Sequence, residues 1–314
     1  GGSGAAGPTG VAAIAAANQV DPKTFPQADG RKTFDDIRQE AAATAASDSA
    51  LLPAANDFVA GRVNRMPFGL FDLDHKPLWG PTVIYITAKP GAPAQGPFAV
   101  AAHALDVPAR FRSKTSASDY DTIGSGFYTA IFNAGKNIRE VSLMTLTRTG
   151  GTVRSALGGI TLVADDPAPA PGERAPAIKT DTLADAHGDV SKIDTRVPPS
   201  GMHAISLDAA LKKHKPIVLI FATPALCSSR VCGPVVDVAE QVKAKVGDAA
   251  IFIHQEIYNR NDPSKGYRKP VRQYGLTSEP FTFVIGADGR VVTQLQGPFV
   301  AEELETAIKA AARR

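Results

Sequence analysis

The spacing of apolar residues divides the chain into an all-β half and a following half in which strands and helices alternate. From Asp57 to Val163, apolar and polar positions alternate in short runs, which predicts β-strands. The predicted strands are 67–73, 81–87, 126–132, 139–147 and 159–163. Turn residues such as Gly150-Gly151 separate them. Short strands with such turns are typical of an antiparallel β-sandwich.

The second half begins near Gly172 and has a different pattern. Residues 216–221 are continuously apolar, as in a strand that is covered on both faces. Residues 234–246 place valines on one helical face and end before Gly247, which is a common helix terminator. A second strand at 249–254, a hairpin at 281–295 and a helix at 302–312 follow. This order predicts an α/β domain with a βαβ unit, then a hairpin, then a closing helix.

Four segments follow from these patterns. Residues 1–56 form a flexible lead with a short helix at 33–46, residues 57–164 form the sandwich, residues 165–176 form a Pro-rich linker, and residues 177–314 form the α/β domain. The lead, Gly1 to Gly10, resembles the spacer behind a removed signal or a lipid-anchored cysteine in bacterial surface lipoproteins. In that case the lipid anchor lies upstream of residue 1. A cloning remnant followed by a disordered terminus is the alternative.

The composition of the chain excludes some classes of function and indicates a compartment. The 314 residues are 44% hydrophobic and 21% charged, and the net charge of +3 comes from mixed charges without a long basic run. This argues against a nucleic-acid partner. No apolar run approaches the roughly 20 residues that span a bilayer. The only two cysteines, Cys227 and Cys232, lie close together, which indicates an oxidising, extracytoplasmic compartment.

The two cysteines lie where the strand at 216–221 leads into the helix. The positive end of a helix favours a thiolate. Within one continuous helix, their Cα atoms would be about 8–9 Å apart, which is beyond the reach of a disulfide. If they pair, Cys227 must lie in the loop and Cys232 in the first helical turn. We expect the pair to form a disulfide in the purified protein, with the more exposed Cys227 as the nucleophile.

Three segments carry a resemblance to a known family: Gly172-Glu-Arg-Ala-Pro176, Cys232-Gly-Pro-Val235 and Glu279-Pro-Phe281. Residues 172–314 resemble the redoxin, or TlpA-type, branch of the thioredoxin superfamily. The resemblance implies a thioredoxin-like fold, a cis peptide before Pro280, and thiol–disulfide oxidoreductase activity on protein thiols or disulfides. The sandwich, through Phe127 to Phe132 and the strand that follows, resembles immunoglobulin-like adhesion domains.

The resemblance implies catalytic roles for Cys227, Cys232 and Pro280, with Glu279, Arg230 and Thr223 shaping the site. The C-x4-C spacing of the two cysteines also resembles that of certain atypical two-cysteine peroxiredoxins. Two departures from the sequence pattern of that family argue against peroxidase activity. Pro224 occupies the position of the required Thr or Ser, and the segment 277–283 has no arginine. A carboxylate at Glu279 would raise the pKa of the sulfurs unless Arg230 offsets it.

Two alternatives remain. In the first, the protein is a non-enzymatic surface lipoprotein whose disulfide is structural and whose sandwich binds a partner. In the second, Cys227 and Cys232 bind Cu(I) together with His254, as in Sco-type copper chaperones. The alternative role for His254 is that of a core-edge histidine bonded to the backbone. The oxidoreductase interpretation requires no cofactor.

Overall fold

The chain forms two compact units in the computed structural model, which describes residues 10–116, 126–228 and 230–314. Among the described residues, unit 1 comprises residues 10–106 and 126–165, and unit 2 comprises residues 107–116 together with those from 166 to 314. Residues 1–9 of the predicted lead lie outside the described part of the chain. No helix among the described residues has the length and apolar character needed to cross a membrane.

Unit 1 is built mainly from strands. Its described helices are α1 (Gly10–Ala17) and α2 (Phe34–Glu40). Its strands are β1 (Ser49–Pro53), β2 (Phe58–Val59), β3 (Val63–Asp72), β4 (Thr82–Thr87), β5 (Gln95–Ala99), β6 (Ala101–Ala104), β7 (Gly126–Asn133), β8 (Glu140–Thr149) and β9 (Thr152–Val163). The five strands that the sequence predicts correspond to β3, β4, β7, β8 and β9. The short strands β1, β2, β5 and β6 have too few alternating positions to be recognised.

The strands of unit 1 form two sheets that share one apolar core. One sheet has the order β1-β3-β7-β6, and the other has the order β2-β9-β8-β4-β5. Alternate side chains of both sheets, such as Phe68 and Tyr128 from the first and Leu143 and Leu162 from the second, are buried in the same cluster. This arrangement is a two-sheet sandwich. An immunoglobulin-like relationship stays a prediction.

Unit 2 contains one mixed sheet with helices. Its strands are β10 (Ile217–Phe221), β11 (Ile251–Gln255), β12 (Phe281–Ile285) and β13 (Val291–Gln296), and its described helices are α3 (Leu207–Leu211), α4 (Cys232–Val246), α5 (Lys269–Gln273) and α6 (Ala301–Ala311). The sheet order is β11-β10-β12-β13. β10 runs parallel to β11 and antiparallel to β12, and β12 runs antiparallel to β13. A parallel βαβ unit is thus followed by a hairpin and a closing helix, as predicted.

The register of this sheet brings three chain segments to one edge. Phe221 at the end of β10 pairs with Gln255 at the end of β11 and with Phe281 at the start of β12. The residues after Phe221, the residues after Gln255 and the residues before Phe281 therefore meet beyond the same end of the sheet. The loop between β10 and α4, which contains Cys227 and is called the cysteine loop below, therefore lies close to Glu256 and to Glu279-Pro280.

Four predicted segments need correction. The predicted flexible lead is ordered over residues 10–56, because Ile14, Ile37 and Leu51 are buried in apolar clusters of unit 1. The segment 165–176 is not a free linker, because Ala168 and Ala175 are buried and the backbone N–H groups of Gly172 and Ala175 donate to the β13 hairpin. Its prolines and alanines suit a sheet edge, where few donors are needed. Helix α2 ends at Glu40 rather than Ala46, because Ala42 adopts a positive φ of 47°. The segment 107–116 belongs to unit 2, which the chain order does not reveal.

Candidate functional site

The two cysteines lie on either side of the point where a loop becomes helix α4. Cys232 is the first residue of the helix, and Cys227 precedes it in the loop after β10. Their sulfur atoms are within 4.8 Å of each other and are not bonded. The predicted placement of Cys227 in the loop and Cys232 in the first turn is therefore confirmed. Formation of a disulfide stays a prediction.

The two thiols differ in exposure and in charge. Cys227 is half-buried, whereas Cys232 is fully buried. Burial raises the pKa of Cys232 well above its usual value, and a hydrogen bond to Cys227 and the negative charge on that sulfur raise it further. The expectation of a thiolate is thus wrong at Cys232, because loss of solvation outweighs the backbone hydrogen bond of Thr223 that favours the thiolate. Cys232 is the protonated partner, and its thiol donates toward the sulfur of Cys227.

Glu279 lies near both sulfur atoms. One of its carboxylate oxygens is within 4.8 Å of both Sγ atoms, and its charge contributes to the raised pKa of Cys232, as predicted. Burial raises the pKa of Glu279 itself, and the charge of Glu256 adds to that effect. Pro280 is buried, and the peptide bond between Glu279 and Pro280 is cis, as predicted.

Glu256 and Tyr258, which both follow β11, complete the polar surroundings of the cysteines. The hydroxyl of Tyr258 donates to Oε1 of Glu279 at 3.3 Å, which opposes the rise in the pKa of Glu279. Oε1 of Glu256 accepts hydrogen bonds from the backbone N–H and the hydroxyl of Thr195, at 2.7 and 2.6 Å. The same hydroxyl accepts from the backbone N–H of Ala225 at 3.1 Å. Glu256 therefore holds the cysteine loop indirectly, through Thr195.

Thr223 and Arg230, which the sequence assigned to the site, lie at the two ends of the cysteine loop. Thr223 is fully buried, and its backbone N–H forms a hydrogen bond with Cys232 that favours the thiolate. Its hydroxyl makes no hydrogen bond to any described residue. Arg230 is exposed, has a φ of 59°, and donates its backbone N–H to the carbonyl oxygen of Cys227 at 3.4 Å. Compensation of Glu279 by its guanidinium stays a prediction.

His254 does not join the cysteines, which removes the predicted Cys227–Cys232–His254 set. Its Nε2 donates to the carbonyl oxygen of Ala222 at 3.1 Å, in agreement with the backbone-bonded alternative. Its Nδ1 lies 3.1 Å from the hydroxyl of Ser200, on the side of a separate polar cluster. The third group beside the two sulfurs is the carboxylate of Glu279.

The sequence patterns identified the cysteines and Glu279 but not Tyr258, Thr195 or the role of Glu256. The available signal was the parallel pairing of β10 and β11, because residues beyond the carboxyl ends of parallel strands meet at one edge. Glu256 and Tyr258 both follow β11 at that edge. Thr195 lies in an irregular segment, where no periodicity points to its position.

Comparison with known proteins finds solved structures of low similarity. No protein-family model matches the chain, and no curated protein matches it. A DsbF homologue from Corynebacterium diphtheriae is similar at 21% identity, covering 44% of this chain and 88% of that chain, with a TM-score of 0.31. A thiol:disulfide interchange protein of the thioredoxin family from Chlorobium tepidum is similar at 20% identity, covering 48% of this chain and 99% of that chain, with a TM-score of 0.30.

The strand order and strand directions of unit 2, rather than these low-scoring matches, define its fold. A parallel β10–α4–β11 unit, an antiparallel β12–β13 hairpin and helix α6 make unit 2 a thioredoxin-like domain. Its two neighbouring cysteines lie at the β10–α4 junction.

Proposed function

We propose that the protein exchanges thiols and disulfides with protein substrates through Cys227 and Cys232. The observation that carries the proposal is the asymmetry of the pair. A half-buried sulfur accepts a hydrogen bond from a fully buried, protonated neighbour within 4.8 Å. Such a pair has one sulfur that can reach a substrate and one that can act only inside the protein.

The first step uses Cys227. Its thiolate attacks one sulfur of a substrate disulfide and forms a mixed disulfide, while the other substrate sulfur leaves as a thiolate and takes up a proton. The hydrogen bond from the Cys232 thiol stabilises the Cys227 thiolate before the attack. The half-exposed position of Cys227 in a loop allows the in-line approach that the reaction requires.

The second step uses Cys232 and needs a proton acceptor, because the pKa of the Cys232 thiol is raised. The carboxylate of Glu279, one oxygen of which lies within 4.8 Å of the Cys232 sulfur, accepts this proton. The Cys232 thiolate then attacks Sγ of Cys227, which releases the second substrate thiolate and leaves a Cys227–Cys232 disulfide. The substrate gains two electrons and the cysteine pair loses two. An external dithiol reductant returns the pair to the reduced state.

The proposal includes an extracytoplasmic location, in which a cysteine pair cycles between oxidised and reduced forms. Support comes from the sparse and paired use of cysteine, with only two in 314 residues. The partners are protein thiols or disulfides. The alternative of copper binding by the cysteines lacks its third ligand. The ring of His254 is bonded to Ser200 and Ala222 instead.

A single-turnover assay tests the proposal. Fully reduced full-length protein is mixed with a peptide disulfide, and the products are separated by mass. We expect the wild type to reduce the peptide, Cys227→Ser to be inactive, and Cys232→Ser to accumulate a mixed disulfide at Cys227. Ser228→Ala, a neighbouring change that keeps both thiols, serves as the matched control and should retain activity.

The reduction potential separates exchange from a structural disulfide in a binding protein. Exchange predicts a potential in the range of about −270 to −120 mV, as for known catalytic pairs. A potential below about −300 mV, together with no reduction of the peptide, would establish the structural alternative instead.

A further inference from the structure

A second polar cluster lies in unit 2, apart from the cysteines. It comprises Asp194, Ser200, His203 and His254, each of which is at least 95% buried. Four side-chain atoms converge there: Oδ2 of Asp194, Oγ of Ser200, Nε2 of His203 and Nδ1 of His254. The proposed exchange reaction uses none of them.

Five of the six distances between the four atoms lie between 2.8 and 3.5 Å. Oγ of Ser200 is 2.8 Å from Oδ2 of Asp194 and 3.1 Å from each of the two histidine nitrogens. Oδ2 of Asp194 is 2.9 Å from Nε2 of His203 and 3.5 Å from Nδ1 of His254. Bonds of about 2.0–2.1 Å to a tetrahedral zinc ion place neighbouring ligand atoms about 3.3 Å apart. The observed distances bracket that value.

The hydrogens available at these four atoms are fewer than the contacts between them. Nε2 of His254 must carry a hydrogen, because it faces the carbonyl oxygen of Ala222, which can only accept. Nδ1 of His254 then has a hydrogen only if the ring is cationic. Ser200 and His203 supply one hydrogen each, and Asp194 acts as an acceptor, because its two carboxylate oxygens face the backbone N–H groups of Arg196 and Ser200. At most three hydrogens are therefore available for the five contacts between these four atoms.

The surroundings orient the same atoms as metal ligands. The bond from His254 to Ala222 fixes the ring tautomer that leaves Nδ1 free to coordinate, which is the usual role of a carbonyl behind a metal-binding histidine. The backbone N–H groups of Arg196 and Ser200 donate to Oδ1 and Oδ2 of Asp194 at 2.8 and 2.7 Å, and so hold the carboxylate in place. Two imidazoles and one carboxylate suit a divalent transition metal.

We propose that Asp194, His203 and His254, with the hydroxyl of Ser200 in the fourth position, form a buried structural site for a zinc ion. A closed tetrahedral set that is inaccessible to solvent corresponds to a structural site rather than a catalytic one. Because the ligands are buried, the ion is bound during folding and exchanges slowly afterwards.

The test uses full-length protein and the metal alone. The chain is unfolded with chelator, refolded with Zn²⁺ or Co²⁺, and freed of unbound metal by gel filtration. Bound metal is counted by elemental analysis, and the cobalt form is examined by absorption spectroscopy. We expect one ion per chain with the intense visible bands of tetrahedral cobalt. We also expect no sulfur-to-cobalt charge-transfer band in the near ultraviolet, because the ligands are nitrogen and oxygen.

Variants assign the ion to the cluster. Cys227→Ser/Cys232→Ser removes the thiols and should keep the ion. Asp194→Asn and His203→Gln should each reduce bound cobalt at least tenfold. The control His187→Asn replaces an exposed histidine of unit 2 and should retain the ion.

Several outcomes would overturn the site: no bound metal in the refolded wild type, loss of the metal with the cysteines, or retention of the metal in Asp194→Asn and His203→Gln. If those two variants do not fold, the zinc X-ray absorption spectrum of Cys227→Ser/Cys232→Ser decides. Two imidazoles with oxygen ligands support the site, and any other ligand set contradicts it.

Discussion

The hydroxyl of Tyr258 donates a hydrogen bond to Oε1 of Glu279 at 3.3 Å, and the carboxylate of Glu279 approaches both cysteine sulfurs. The tyrosine belongs to the segment after β11, and the glutamate to the segment before β12. The central strand β10 pairs with both of these strands, so the sheet register sets the contact. The acidity of Glu279 therefore depends on how three chain segments meet, and this dependence can be measured.

Replacement of Glu279 by Gln should make the protein more stable at neutral pH. Burial raises the pKa of Glu279 above its value in the unfolded chain, so folding favours the protonated form. The contribution of Glu279 to stability is full below the unfolded pKa and is lost as the pH rises through the folded pKa. Denaturant unfolding should therefore give Glu279→Gln a higher midpoint than the wild type at pH 7 and an equal midpoint near pH 4. A variant that is less stable at pH 7 would show that the carboxylate is needed for packing.

The same substitution should slow the internal step of exchange. The neutral amide of Glu279→Gln cannot accept the proton of the Cys232 thiol, so the mixed disulfide should persist longer in this variant than in the wild type. Rapid acid quenching and mass analysis measure its lifetime. The initial attack by Cys227 should not slow, because the negative charge beside the sulfurs has been removed. Unchanged lifetimes would exclude Glu279 as the proton acceptor.

Removal of the Tyr258 hydroxyl should shift the pH dependence of that step. The hydrogen bond from Tyr258 lowers the pKa of Glu279, so Tyr258→Phe should raise this pKa further. The rate of disulfide closure should then reach its plateau at a higher pH than in the wild type. Tyr267→Phe is the matched control, because the Tyr267 ring packs on Tyr258 while its hydroxyl donates to the carbonyl of Thr277 instead. Equal profiles for both variants would contradict the assignment.

The thiols of the reduced protein should differ in reactivity. Cys227 is half-buried, whereas Cys232 is fully buried and its thiol is held in the protonated form. Iodoacetamide should therefore label one residue per folded chain, Cys227, and should label Cys232 only after unfolding. Peptide mass mapping identifies the labelled residue. Preferential labelling of Cys232 would reverse the two roles in exchange.

Local patterns were sufficient for the framework of this site. The apolar run at β10 and the helix that begins at Cys232 follow from short segments with strong signals, whereas the cis bond before Pro280 was implied by the family resemblance. The face of β11 on which the side chain of His254 lies could not be predicted. All four residues from Phe252 to Gln255 are buried, so the strand has no alternation that tells one face from the other.

The contacts of the segment 107–116 could not be predicted either. It follows a strand of unit 1 in the chain, yet it supplies partners to Asp237 in unit 2. Asp237 lies among the valines of helix α4 and is fully buried. A helical pattern marks such an aspartate as an interruption of the apolar face. It gives no information about partners that are more than a hundred residues away.

The buried pair of Arg196 and Asp237 should contribute strongly to the stability of unit 2. Nε of Arg196 donates to Oδ1 of Asp237 at 2.9 Å, and the backbone N–H of Ser113 and the hydroxyl of Ser116 donate to Oδ2 at 3.0 and 2.7 Å. Removal of one partner leaves a buried charge uncompensated, which typically costs about 3–5 kcal/mol. Arg196→Met should therefore lower the free energy of unfolding by that amount.

The control for this prediction is an exposed ion pair with a similar distance between nitrogen and oxygen. Nζ of Lys179 lies 2.7 Å from Oδ1 of Asp185, and the lysine is largely exposed. Water already solvates these charges, so Lys179→Met should leave the unfolding midpoint nearly unchanged. The double variant Arg196→Met/Asp237→Leu should recover part of the loss, because it removes the second charge as well. Equal losses in Arg196→Met and Lys179→Met, measured by denaturant unfolding of the full chain, would show that burial does not strengthen the pair.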